Sequence, residues 1–229
     1  MSTEHQMNDT LIASRTHATV ALLIVAAITL LGIQQASSLA AVGPEASRVI
    51  PYLSLIGLQL LWVRFIHVGL KRHGHSLSEL TGGRWTSARD VFMDLLFGAI
   101  GFFAAAIAAE ALTRALGGTH ANTAFLLPHG VPESVLWVLV SVTAGVCEEI
   151  VFRGYLQRQL AALTGSVTAG ILLQAVAFGI SHGYQGLASM AITGSYGLVL
   201  GILVWWRGNI RASALAHAAT DIVGGLTRF

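Results

Sequence analysis

The stretch VLWVLVSVTAGVCEEIVFR, Val135 to Arg153, decides how the rest of the chain is read. From Val135 to Cys147 it carries no charge; then two glutamates and an arginine arrive inside what otherwise reads as a membrane helix. A carboxylate near the bilayer centre costs roughly 2.5–3.5 kcal/mol. Two together would consume much of a typical folding stability of about 5–15 kcal/mol. Such groups persist when they have partners and a task.

Working outward, 54% of the 229 residues are hydrophobic and only 10% are charged, against about 25% charged in a soluble domain. The fold class that follows is all-α, a polytopic transmembrane helix bundle of about seven helices. The net charge of +2 arises from few charges in total and excludes a nucleic-acid partner; the partner that composition implies is membrane lipid. The lone Cys147 leaves no internal disulfide.

A polar leader occupies residues 1–16, and the small residues of QQASSLAAV beyond the first apolar core resemble a signal-cleavage region. The long leader, with Arg15 as its one basic residue, argues for an uncleaved first helix. Apolar spans are expected at about 17–41, 49–70, 91–116, 134–163, 166–183, 187–206 and 211–226. Residues 71–90 form a polar loop along the membrane surface. The expected organisation is N-terminal helices and loop over 17–133 and a second helical bundle over 134–229. Arg15, Lys71, Arg72, Arg84, Arg89, Arg158, Arg207 and Arg211 fall on the side of the N-terminus, whereas Arg48, Arg114 and Arg228 fall opposite. That asymmetry predicts a cytoplasmic N-terminus, in a chain of bacterial cytoplasmic-membrane character.

Within the second half, the ionisable groups inside spans are Glu148, Glu149, Arg153, His182, His217 and Asp221. In lipid such groups face the bundle interior and pair with one another. Adjacent helical residues point about 100° apart, so the two glutamates cannot share a direction. Arg153 follows Glu149 by four, the favourable order for an ion pair on one face. Glu148 has no local partner and is left for a cavity. His217 and Asp221 also share a face. Buried glutamates have raised affinity for protons, and one free carboxylate with two histidines can activate water or stabilise an oxyanion. The bland readings are packing for Cys147 and most glycines (Gly197 and Gly201 in a GxxxG pair), and a solvated loop for the KRHGH run at Lys71.

The ordered motifs EExxxR (Glu148, Glu149, Arg153), FxxxH (Phe178, His182) and HxxxN/D (His217, Asp221) on successive apolar helices resemble the CPBP family. It holds type II CAAX prenyl endopeptidases and bacteriocin-processing or self-immunity proteins. The resemblance spans about residues 134–226. It implies that 134–229 is the catalytic bundle of an intramembrane endopeptidase, with its site opening toward the cytoplasmic leaflet and a membrane-associated or CAAX-type peptide or protein as the substrate partner. It further implies that Glu148 and His182 activate water, that His217 and residue 221 hold the oxyanion, and that Glu149, Arg153 and Phe178 support them.

One departure matters: Asp221 stands where the prenyl-protease members have Asn. A carboxylate donates to an oxyanion only when protonated, which an apolar site can enforce. Otherwise Asp221 orients His217, or joins Glu148, His182 and His217 in a zinc site of two histidines and carboxylate; no cofactor is the first expectation and zinc the alternative. Two other readings remain, a non-enzymatic immunity or scaffold protein and a small transporter with a proton relay. The chain lacks the paired interrupted helices that inverted-repeat transporters show.

Overall fold

A computed structural model of the chain describes residues 11–42, 46–118 and 126–227. Most of the polar leader, the loop segment 119–125 and Arg228 of the charge count lie outside the described residues. Those described are mostly helical, with no strand among them. In chain order the helices are α1 (Arg15–Val42), α2 (Val49–Arg72), the short α3 (Leu77–Thr81), α4 (Ala88–Ala115), α5 (Gly130–Glu149), α6 (Gln157–Thr164), α7 (Val167–Ser181), α8 (Leu187–Arg207) and α9 (Arg211–Thr227). The helical bundle expected from composition is therefore present, in an integral membrane protein.

Among the described residues, five segments are long and apolar enough to cross a membrane: 15–38, 49–72, 88–115, 130–164 and 187–207. The expected fifth and seventh spans are shorter. At 15 residues, α7 rises only about 22 Å at 1.5 Å per residue, against about 30 Å of hydrocarbon. It stops at Ser181 and gives way to a 3₁₀ turn, Gly183–Gln185. Irregular backbone at membrane depth is tolerated where protein shelters it, and this turn is packed against α1 and α8.

The decisive stretch folds as a continuous helical rod from Gly130 to Thr164, whose middle, Ile150–Leu156, is wound as a π-helix. All seven π residues are buried. The rod starts four residues before the expected Ser134, because Glu133 finds partners there. Its carboxylate accepts the backbone N–H of Arg48 at 2.8 Å and that of His129 at 2.9 Å, fastening the starts of α2 and α5 together. Gly165, at φ +67°, ends the rod as a left-handed cap, the conformation glycine adopts most cheaply.

Packing concentrates on this rod. α5 lies against α9 and α2, α6 against α7, and α7 against α8. The amide of Gln159 binds the backbone N–H groups of Ile12 and Ala13 and the carbonyl of Ala13, so the entry to α1 is tied to α6. His17 adds a bond of 2.6 Å to the Tyr155 hydroxyl and stacks on Phe65. The expected surface loop at 71–90 contains α3, opened by a capping box of Ser76 and Glu79. Its histidines have local work: His73 meets the Gly69 carbonyl at 2.9 Å and His75 pairs with Glu79 at 2.8 Å.

Candidate functional site

The ionisable residues singled out in the second half converge where the rod crosses α9 and the end of α7. Glu148 lies near the middle of the rod that runs from Gly130 to Thr164. Glu149 is fully buried and Arg153 Nη1 donates to its Oε1 at 2.6 Å. The same Oε1 lies 3.0 Å from His217 Nδ1. One carboxylate oxygen thus ties two turns of the rod to α9. The remaining face of the Arg153 guanidinium rests on the Phe178 ring, 4.1 Å from its centroid, a desolvated cation–π contact.

Phe178 is the apolar hub. Its ring meets Phe152, Tyr196, His182 and His217 at centroid distances of 4.8 to 6.4 Å. This explains one glycine that composition alone leaves as packing. A Cβ at Gly197 would come 3.0 Å from Phe178 Cδ1 and 3.3 Å from Arg153 Nη2. The backbone of α8 has to approach that closely. Its carbonyls at Gly197 and Gly201 accept side-chain amides from Gln174 and Gln157, each at 3.0 Å.

Glu148 is set apart from this network. Its side chain is 20% exposed, and His217 Nε2 lies 4.0 Å from its Oε2. Asp221 Oδ2 lies 3.7 Å from the same Nε2, with its side chain 34% exposed. Both separations exceed hydrogen-bond length; a single bridging oxygen fits such a spacing. With Nδ1 of His217 committed to a carboxylate, which can only accept, Nε2 is the nitrogen that addresses the gap. Helix phase therefore separates the two glutamates as their spacing implies: Glu149 is held by Arg153, and Glu148 faces the half-open side.

His182 caps α7. Its Nδ1 lies 2.9 Å from the Phe178 carbonyl and 3.1 Å from the Ser181 hydroxyl. A carbonyl only accepts, so Nδ1 carries the proton there, and Nε2 of the neutral ring keeps its lone pair. His182 reaches the rest through rings rather than polar bonds, packing on Phe178 and on Tyr184. Asp221 is anchored through its backbone: Trp137 Nε1 donates to its carbonyl at 2.9 Å, and Gly225 leaves room for the indole.

Several participants escaped the sequence reading. Tyr196 donates to Thr220 Oγ1 at 3.2 Å and stacks edgewise on His217. Trp137, Gln157, Gln174 and Tyr184 carry no charge, so the search for ionisable groups passed over them. Their signal is the rarer one of polar side chains on buried helix faces. For the zinc alternative, among the described residues no three of His, Cys, Asp and Glu gather in a metal-binding arrangement. The bond from His182 Nδ1 to its own helix and that from His217 Nδ1 to Glu149 leave the four residues as a loose ring around a gap.

Residues 130–223 match the family model described as type II CAAX prenyl endopeptidase Rce1-like. The match contains every motif residue from Glu148 to Asp221. No curated protein and no solved structure matches the chain.

Proposed function

Taking residues 130–223 as a CAAX-type peptidase segment of the Rce1-like family, we propose that this membrane protein hydrolyses a peptide bond of a membrane-associated substrate within the gap between Glu148, His217 and Asp221. The observation that carries the reading is that gap: Nε2 of His217 stands 4.0 Å and 3.7 Å from two partly exposed carboxylates. A fully satisfied structural cluster would have closed it.

Water held there is polarised by Glu148, which takes one proton as its oxygen attacks the scissile carbonyl carbon. The carbonyl π pair moves onto oxygen, and collapse breaks the C–N bond while Glu148 returns the proton to the leaving amine. His182 Nε2 accepts a hydrogen bond from the second O–H of the water. His217 acts as an imidazolium: with Nδ1–H donated to Glu149, it donates from Nε2 to the developing oxyanion only when both nitrogens carry a proton. Glu149 fixes its ring in the role a third group plays in orienting a catalytic histidine. Asp221 joins the oxyanion site when protonated and otherwise orients His217. No step is routed through a metal. Glu149, Arg153 and Phe178 hold the frame.

We assign the catalytic unit to residues 134–229 and place the basic ends of α2, α8 and α9 in the cytoplasm, with the N-terminus, in a bacterial cytoplasmic membrane. The test is a quenched peptide with a farnesylated CAAX terminus, incubated with detergent-solubilised protein, beside its unprenylated counterpart. Wild-type protein is expected to cleave and the Glu148→Gln variant to be inert. Equal cleavage by both would remove the assignment and leave an immunity or scaffold role.

A further inference from the structure

The weak point of the site is the oxyanion. At position 221 an ionised aspartate cannot donate a hydrogen bond, and His217 Nε2 is one donor at most. A tetrahedral oxyanion is ordinarily met by two or more preorganised donors. The chain has to supply another from a residue outside the three motifs.

Two tyrosines lie close. Tyr196 is 8% exposed and spends its proton on Thr220 at 3.2 Å. Tyr184 differs. It sits on the 3₁₀ turn that follows His182, its ring 5.9 Å from that imidazole and inclined by 33°. On its other side the ring packs on α1, where a Cβ at Gly32 would lie 3.4 Å from Tyr184 Cδ1. The phenol is clamped between the catalytic-helix cap and α1. Its hydroxyl accepts a hydrogen bond from Gln185 Nε2 at 3.1 Å, which leaves its own proton unspent. Glu148 and Asp221 lie near enough to act electrostatically on the same phenol.

We propose that Tyr184 is a further catalytic residue, donating its hydroxyl hydrogen bond to the oxyanion that forms as water attacks the scissile carbonyl. The proton is shared and not transferred, so the hydrolysis keeps its balance: one water is consumed, one carboxyl and one amine appear. The 3₁₀ turn acquires a purpose in this account. Ending α7 at Ser181 brings Tyr184 back over the site, where a continued helix would carry it to lipid.

This inference rests on the proteolytic reading above, and the two are separated by running Tyr184→Phe and Glu148→Gln side by side with the quenched farnesylated peptide. Phenylalanine retains the ring contacts to His182 and Gly32, so thermal unfolding should match wild type. Losing one oxyanion donor lowers kcat by about 10²–10³-fold with KM unchanged. Tyr184→Phe cleaving at the wild-type kcat while Glu148→Gln is inert overturns the role of Tyr184 alone. A rise in KM at constant kcat also overturns it, since that marks a substrate contact. An active Glu148→Gln variant, or a wild type inert toward the peptide, removes the proteolytic reading and the tyrosine with it.

Discussion

Two buried carboxylates, Asp94 and Glu149, each collect two cationic side chains, and they differ in what surrounds them. Asp94, on α4, is fully buried where the basic ends of α8 and α9 meet. Arg207 binds its Oδ1 at 2.9 Å, and Arg211 and the Trp85 indole bind Oδ2 at 2.7 and 2.8 Å. Both oxygens are taken, and Arg207 also lies over Phe97. Glu149 is equally buried, yet beside it stand Glu148 and Asp221, 20% and 34% exposed and beyond hydrogen-bond reach of the histidine they flank. The first cluster is closed and the second has groups to spare. A closed cluster latches helices; one with unspent groups can do chemistry.

The comparison is broken most severely at Glu148. Replacement by Gln should lower turnover by at least about 10³-fold, the scale of a lost general base, without moving the melting temperature in detergent. Next comes Arg153→Met, which strands a buried Glu149 carboxylate. Breaking a buried pair from one side costs about 3–5 kcal/mol, read as a large fall in thermal stability. The double change Glu149→Gln with Arg153→Met should recover part of it, and a double variant less stable than the single one contradicts the pairing.

At the latch, Asp94→Asn leaves Arg207 and Arg211 uncompensated. Both side chains are about one-fifth exposed and can turn to water, so the loss should be nearer 1–2 kcal/mol than the full cost of a buried pair. Turnover per folded molecule should hold within a few-fold. A collapse of kcat in a stably folded Asp94→Asn protein would place the latch inside the catalytic machinery. The mildest change is Asp221→Asn, which supplies an amide donor at the oxyanion site; cleavage is expected to stay within about ten-fold of wild type. Full inactivation would assign Asp221 an acid–base role of its own.

Much of this was legible in the chain, and the reasons are physical. Membrane helices announce themselves by length and hydropathy, and charges inside them are costly enough to mark a site. The split between Glu148 and Glu149 follows from helix phase and from Arg153 four residues on. What could not be read depends on long-range contacts. The π-wound segment Ile150–Leu156 has no local signature; burial on every side sustains it. Gln157 and Gln174 look like ordinary polar residues until the carbonyls of α8 arrive. Asp94 passed unmarked because its partners, Arg207 and Arg211, read as simple markers of the cytoplasmic face. The end of α7 at Ser181, two residues before the expected Gly183, has no proline to mark it, and the 3₁₀ turn that follows depends on packing against α1 and α8.

The central claim is the division of labour between the adjacent glutamates, and one paired measurement tests it. Glu148→Gln and Glu149→Gln are purified in the same detergent, and for each the peptide-cleavage kcat and the melting temperature are taken together. The account predicts that Glu148→Gln melts with wild type and does not cleave, while Glu149→Gln melts lower because Arg153 and His217 lose the negative charge they share. A Glu148→Gln protein that cleaves at the wild-type rate would contradict it.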